Sequence, residues 1–267
     1  MHARLTVLIP SCNRPTALAV TLTGLCFQHC QDFDVVVADQ SDTPVYQEPS
    51  VRTVIRLLEK QGHRVLALTN LPRRGLAQQR QFLLDHVASP YCLYIDDDVL
   101  LEPFVLGNML KALEEERLGF VGQALIGLSY RQDYRPREQA IELWEGPVEP
   151  ERVTPEDESW RRHSLHNAAN ILHVQEKLAL TPQTQKKYKV AWVGGCVMYD
   201  TDKLRAVGGF DFWREVPRAH VGEDVFAQLR VMRRYGGCGL IPSGAYHQEL
   251  PTTIPDRRFD IPKEREL

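Results

Sequence analysis

The chain has 267 residues, 43% of them hydrophobic and 25% charged, which are the values of a globular protein with room for one large domain. A formal net charge of -3 leaves no basic excess to neutralise phosphates and argues against nucleic acid as a partner. No apolar run approaches the roughly 18 residues that span a bilayer, so the expectation is a cytoplasmic protein, soluble or peripherally attached to a membrane.

In chain order, "LTVLIP" (5–10) reads as a strand buried on both faces, because it is apolar throughout and not alternating. With only about five apolar residues it is too short for the core of a secretion signal. "SCNRPTALAVTLTGLCFQ" follows, with Asn13 near a helix start, Pro15 in the first turn, and Leu18, Leu22 and Leu25 at helical spacing. A second strand (32–41) ends in Asp39. A short helix (54–62), a third strand (64–71) and an amphipathic helix (75–88) come next. "YCLYI" is a fourth strand that runs into Asp96, Asp97 and Asp98. A helix (102–116) and a strand (119–127) complete this part.

Strands alternating with helices predict a parallel sheet with helices on both faces, and ligands meet such sheets at the carboxyl ends of the strands. Asn13, Asp39 and the three aspartates all fall at that edge. Residues 128–190 are polar and proline-interrupted, and read as an irregular insertion with one or two helices. Order returns with "VAWVGGCVMYDTDKLRAVGGF" (190–210), a helix (222–236) and a strand and loop (238–250). The stretch from Pro251 onward is charged and reads as a loose terminus.

The six cysteines form no CxxC pair, and the Cys26/His29/Cys30 group falls short of the paired motifs of structural zinc, so free thiols are expected. Carboxylates two apart after a strand can face one point, and Mg²⁺ or Mn²⁺ often bind one or two carboxylates together with substrate phosphates. A solvated acidic turn is the bland alternative.

"VLIPSCNRP", "VVVADQS", "NLPRRGLAQQRQ", "YIDDDVLLEP", "WVGGCVMYDTDKLRAVGGFD" and "GEDVFAQLRVMRRYG", in this order, resemble an inverting family 2 glycosyltransferase of the GT-A fold over roughly residues 4–248. The resemblance implies an α/β fold of GT-A type, a mostly parallel central sheet with helices on both faces. A single domain would span 1–250, divided into a Rossmann-like nucleotide-sugar half (1–127), the insertion (128–190) and an acceptor-binding, catalytic half (190–250). Residues 251–267 form a C-terminal tail.

Residue by residue, it implies that Pro10, Ser11 and Asn13 line the nucleotide pocket. Asp39 would accept from the base, most often uracil, whose N3–H donates. Gly75, Ala77 and Arg80 would pack beside the nucleotide, with Arg80 partnering the diphosphate or an aspartate, or else forming a surface ion pair. The usual Ala-Arg-Asn stands here as Gln79-Arg80-Gln81. Asp96 would lie near the ribose or sugar, Asp97 would contact the sugar or cap the turn, and Asp98 would ligate Mn²⁺ or Mg²⁺, with His247 as a further ligand to the metal or diphosphate. Gly194 and Gly195 would let the backbone approach the donor sugar, and Trp192 and Trp213 would stack on sugars or merely pack. Asp224 would be the general base and Glu223 would orient the acceptor or support the loop; the bland alternative is an acidic first turn that favours the helix N-terminus.

The implied partner is a nucleotide-sugar donor, UDP-linked by preference, with a carbohydrate, lipid or protein acceptor. Two other classes share the acidic sheet edge: a sugar-phosphate nucleotidyltransferase, which would need a glycine-rich basic loop where "PSCNRPT" stands, and a non-catalytic nucleotide-sugar-binding protein.

Overall fold

The computed structural model describes residues 3–254 and 256–266. Met1, His2, Pro255 and Leu267 lie outside the described residues, and with them the outermost bounds of the expected domain and tail. In chain order the elements are β1 (Leu5–Ser11), α1 (Pro15–Cys26), β2 (Phe33–Asp39), α2 (Pro49–Lys60), β3 (Val65–Thr69), α3 (Leu76–Asp85), β4 (Tyr91–Ile95), β5 (Val99–Leu101), α4 (Val105–Glu116), β6 (Phe120–Gly122), α5 (Asn170–Lys177), β7 (Lys186–Tyr188), β8 (Cys196–Asp200), α6 (Thr201–Ala206), α7 (Glu223–Tyr235), β9 (Gly237–Ile241), β10 (Ala245–His247) and α8 (Ile261–Glu264).

Eight strands form one sheet in the order β3-β2-β1-β4-β8-β6-β9-β7. The first four are parallel, as the strand–helix alternation predicts. Strand β8 then enters antiparallel between β4 and β6. Strand β9 runs parallel to β6, and β7 closes the edge antiparallel to β9. The sheet is therefore mostly parallel in its first half and mixed in its second. A separate two-stranded ribbon pairs β5 with β10, placing His247 opposite Val99.

Side chains alternate across a strand, so the fully apolar β1 feeds two cores. Leu5, Val7 and Ile9 pack with Leu18, Leu22 and Leu25 of α1, Leu58 of α2 and Met109 of α4. Leu8, with Val36 and Ala38 of β2, packs on the opposite face against Ala77 and Leu83 of α3 and Phe226 of α7. Burial on both faces is why these strands lack alternation.

The 128–190 segment holds α5, several 3-10 turns and, as an addition to the expectation, the edge strand β7. The C-terminal stretch differs from the loose terminus expected. Ile261 is fully buried, and the Val221 N–H donates to the Phe259 carbonyl at 3.0 Å while the Ile261 N–H donates to Val221 at 3.0 Å. A few apolar residues in a charged run, Phe259, Ile261 and Pro262, anchor it beside the start of α7.

Candidate active site

Strand β4 ends at Ile95, and the three carboxylates that follow go three ways. Asp97 turns inward beneath β1, where Ser11 Oγ donates to it at 2.6 Å. Asp98 receives Arg14 Nη1 at 2.8 Å, and the same guanidinium nitrogen lies 3.3 Å from Asp97. Asp96 points toward α3, 3.2 Å from Arg80 Nη2. The Asp96 side chain is 37% exposed and that of Asp98 only 4%, so Asp96 is the open carboxylate of the three. The turn is pinned from α1, where Thr21 Oγ1 accepts from the Val99 N–H and donates to the Asp97 carbonyl.

Burial is the main reason that ionisation of Asp97 and Asp98 is disfavoured. It pushes Asp97 up to about 6, against the opposing pull of Ser11 and Arg14. It also raises Asp98, against His247 and Arg14.

Arg80 projects from α3 into the interior and joins the two halves of the site. Its Nε donates to Glu223 at 3.0 Å while Nη2 reaches Asp96. Its charge lies 5.5 Å from the Tyr94 ring centroid, and Tyr94 Oη donates to the Arg80 carbonyl. Helix α7 begins directly after Gly222, whose φ of 79° suits glycine. The helix therefore opens with Glu223 buried on Arg80 and Asp224 facing the open space. Burial, then repulsion from Glu223, raises the Asp224 carboxyl to about 7, although Arg80 opposes the shift.

These groups line one cavity of about 370 Å³, together with Pro10, Ser11 and His247. A second cavity of about 410 Å³ adjoins it, shares Asp96 and Asp224, and is lined by Gly194, Gly195 and Trp192. Gly195 has a φ of 72°, and a Cβ there would come within 2.4 Å of Leu125 and 3.2 Å of Asp96. Glycine is thus required for the backbone to pass so close to the aspartate.

Three of the expected residues organise loops. Asp39 is buried, and its two oxygens accept the backbone N–H groups of Ser41 and Val45, each at 2.8 Å. Asn13 exchanges hydrogen bonds with Asp42. Gly75 precedes α3 and packs against His220. Trp213 lies under the Arg214 guanidinium and lines neither cavity.

Arg14 is the residue whose role the sequence does not disclose. Its place in "CNRP" reads as helix-start chemistry, and only the sheet pairing of β1 with β4 brings it onto the aspartates. It also donates to the Pro251 carbonyl, and Thr252, Thr253 and Arg257 extend the cavity wall from the C-terminal stretch.

Among the described residues no group of three His, Cys, Asp or Glu side chains could hold a metal ion. The nearest set is a pair, with His247 Nε2 lying 3.5 Å from Asp98 Oδ2. His247 Nδ1 accepts the Glu249 N–H at 2.8 Å, which puts the proton of the neutral ring on Nε2, facing Asp98. A divalent cation fits Asp98 only when the Arg14 guanidinium, 2.8 Å from the same Oδ2, moves off it. It fits His247 when that proton moves and the Glu249 contact is given up, the remaining ligands coming from phosphate oxygens and water.

The sequence matches the model of glycosyl transferase family 2 over residues 6–175. The chain belongs to that family. The likeness of this glycosyltransferase to solved structures extends over nearly its whole length and establishes the GT-A fold. The 1–349 portion of S. aureus TarS in complex with UDP-GlcNAc superposes with a TM-score of 0.58 at 14% identity, covering 94% of this chain and 60% of that one. Mannosyltransferase PcManGT from Pyrobaculum calidifontis, in complex with GDP-Man and Mn²⁺, gives 0.53 at 18% identity, covering 90% and 57%. The glycosyltransferase spans 36% of the longer S. aureus TarS chain. No curated protein matches it by sequence. No helix among its described residues is long and apolar enough to cross a membrane.

Proposed function

We propose that this glycosyltransferase moves a sugar from a nucleoside diphosphate sugar, UDP-linked by preference, to an acceptor hydroxyl with inversion at the anomeric carbon. The observation behind the reading is one cavity in which the acidic end of β4 and the Glu223–Asp224 start of α7 are tied together through Arg80. The UDP-GlcNAc and GDP-Man complexes of the two structural relatives support the donor class. Family membership favours glycosyl over nucleotidyl transfer, and an open Asp96 with a raised Asp224 favours catalysis over binding alone.

In this reading the acceptor oxygen forms its bond to the anomeric carbon as the bond to the diphosphate breaks, and the electron pair leaves with the nucleoside diphosphate. The acceptor proton passes to Asp224, whose raised pKa suits a base working near neutrality. Glu223 is committed to Arg80 and acts by fixing Asp224 at the helix start. Pro10 and Ser11 border the nucleotide, Asp96 and Asp97 lie beneath ribose and diphosphate, and Gly194 and Gly195 face the donor sugar. Asp39 keeps one lone pair on each oxygen beyond its loop contacts and takes the base N3–H. Asn13 and Gly75 shape the loops on either side. Asp98 and His247 would hold Mn²⁺ or Mg²⁺, which when bound offsets charge on the departing diphosphate.

The test is nucleotide release from UDP-GlcNAc, other UDP-sugars and GDP-mannose with Mn²⁺ present. We expect slow hydrolysis with one of these donors, lost in Asp98→Ala and in Asp224→Asn. Equal rates in Asp98→Ala would refute the metal role. NMR of the transfer product reads the anomeric configuration, and retention would refute direct displacement.

A further inference from the structure

The two edges of the main sheet are finished differently. Strand β7 is three residues long, carries Lys186 and Lys187, and has its outer side occupied: the Trp144 N–H donates to the Lys187 carbonyl and the Lys189 N–H to the Glu142 carbonyl. Strand β3, "VLALT", holds no charge, proline or glycine, and among the described residues no strand pairs with it beyond β2. The Arg64 carbonyl accepts the Val35 N–H, and the Asn70 N–H donates to the Asp39 carbonyl, both toward β2. Backbone groups alternate in direction along a strand, so Val65, Ala67 and Thr69 turn theirs to the open edge.

A parallel-sheet strand that is apolar on both faces normally lies under cover on both. Here the cover stops short. Helix α3 lies mainly over β1 and β2, and α2 packs mainly against α1. Leu66 and Leu68 on one face, and Val65 and Ala67 on the other, are therefore only half-buried. Leu71, just beyond the strand, is 53% exposed.

We propose that the β3 edge is a dimer interface and that its occupant is the β3 edge of a second copy of this chain. The outward groups are self-complementary. A two-fold axis at Ala67 sets Ala67 against its own copy and Val65 against Thr69 of the second copy, with about six main-chain hydrogen bonds between them. The same register sets Leu66 against Leu68 and Arg64 against Asn70, so no like charges face each other directly. A charged peptide from another protein would find no ion to answer it between Val65 and Leu71. The antiparallel seam reverses strand direction. The two cavities at the ends of β4 then open at opposite ends of the doubled sheet, and each stays complete within one chain.

The test is sedimentation of the full chain over about 1–100 µM, with amide exchange followed by NMR. We expect the mass to climb with concentration from 30.6 kDa to twice that value, and the N–H groups of Val65, Ala67 and Thr69 to gain protection in step with it. Ala67→Lys sets two ammonium groups opposite each other on the axis and should weaken the dimer by about a hundredfold. Thr69→Lys puts a charge on the same edge from an exposed position, where the wild-type side chain gives up only its hydroxyl contact with Tyr46. It should weaken the dimer by about tenfold. If Ala67→Lys does not melt cooperatively, Thr69→Lys decides. A chain that stays at 30.6 kDa throughout overturns the proposal. A dimer undiminished by Thr69→Lys does so too, since its interface then lies elsewhere. Edge amides protected only when an unrelated extended peptide is added would assign the edge to a different protein, which also overturns it.

Discussion

Arg80 Nε lies 3.0 Å from Glu223 Oε1, a contact between the third helix and the seventh that spans 143 residues of chain. Both side chains are buried, at 5% and 4% exposure, so neither charge has water as an alternative partner. Removing one member of such a pair strands the other, which costs about 3–5 kcal/mol. Arg80→Met should lower stability by that amount in urea unfolding. Arg80→Lys should recover little, because one ammonium cannot reach Glu223 and Asp96 in the fork geometry of a guanidinium.

As the proposed base, Asp224 should set the pH dependence. A base must be ionised to act, so kcat/KM should rise with pH up to about 7 and level off above it. The groups acting on Asp224 after burial are Glu223 and Asp96, which raise its pKa, and Arg80, which lowers it. Glu223→Gln removes a raising charge while keeping an acceptor for Arg80, so the midpoint should move to lower pH. Asp224→Asn should abolish the inflection and slow transfer by about 10²–10⁴-fold. A pH–rate profile of the three proteins checks this.

Asp39 should matter to the fold as well as to the ligand. Its carboxylate receives the Ser41 and Val45 N–H groups, and Asp39→Ala leaves both buried donors without that partner, a loss of about 2–3 kcal/mol. Asp39→Asn keeps one acceptor and should lose less. Denaturation gives the stability term. Calorimetry with UDP against GDP then reads the part that belongs to the base.

His247→Ala should raise the Mn²⁺ concentration for half-maximal UDP binding by about 10–100-fold, the loss typical of disturbed metal surroundings. The assay is a Mn²⁺ titration with UDP present. An unchanged midpoint would assign the metal to Asp98 and substrate oxygens alone.

The first half of the sheet was legible because its signals are local. Unbroken apolar runs mark buried strands, and an Asp-rich turn after "YCLYI" marks a sheet edge. What escaped depends on pairings distant in the chain. Strands β5 and β10 have three residues each and show no periodicity, so the pairing that sets His247 beside Asp98 was not readable, although the family resemblance had named both residues together. Arg14 resembles any basic residue at a helix start until β1 is placed beside β4. The three aspartates were legible as a cluster, but not their division of labour. Adjacent residues at a strand end face different neighbours, and those neighbours come from α1, α3 and β1.

Strand β8 bonds to β4 from Tyr91–Asp200 to Ile95–Cys196, and to β6 on its other side. The parallel and mixed halves of the sheet are thus welded through one continuous hydrogen-bonded plate, and a bending motion between them would have to tear backbone pairs. The cavities open at the plate's rim, where Leu250, Thr252, Thr253, Ile254 and Arg257 form part of the wall. Exchange of either half with a relative would have to carry the seam strand along with it.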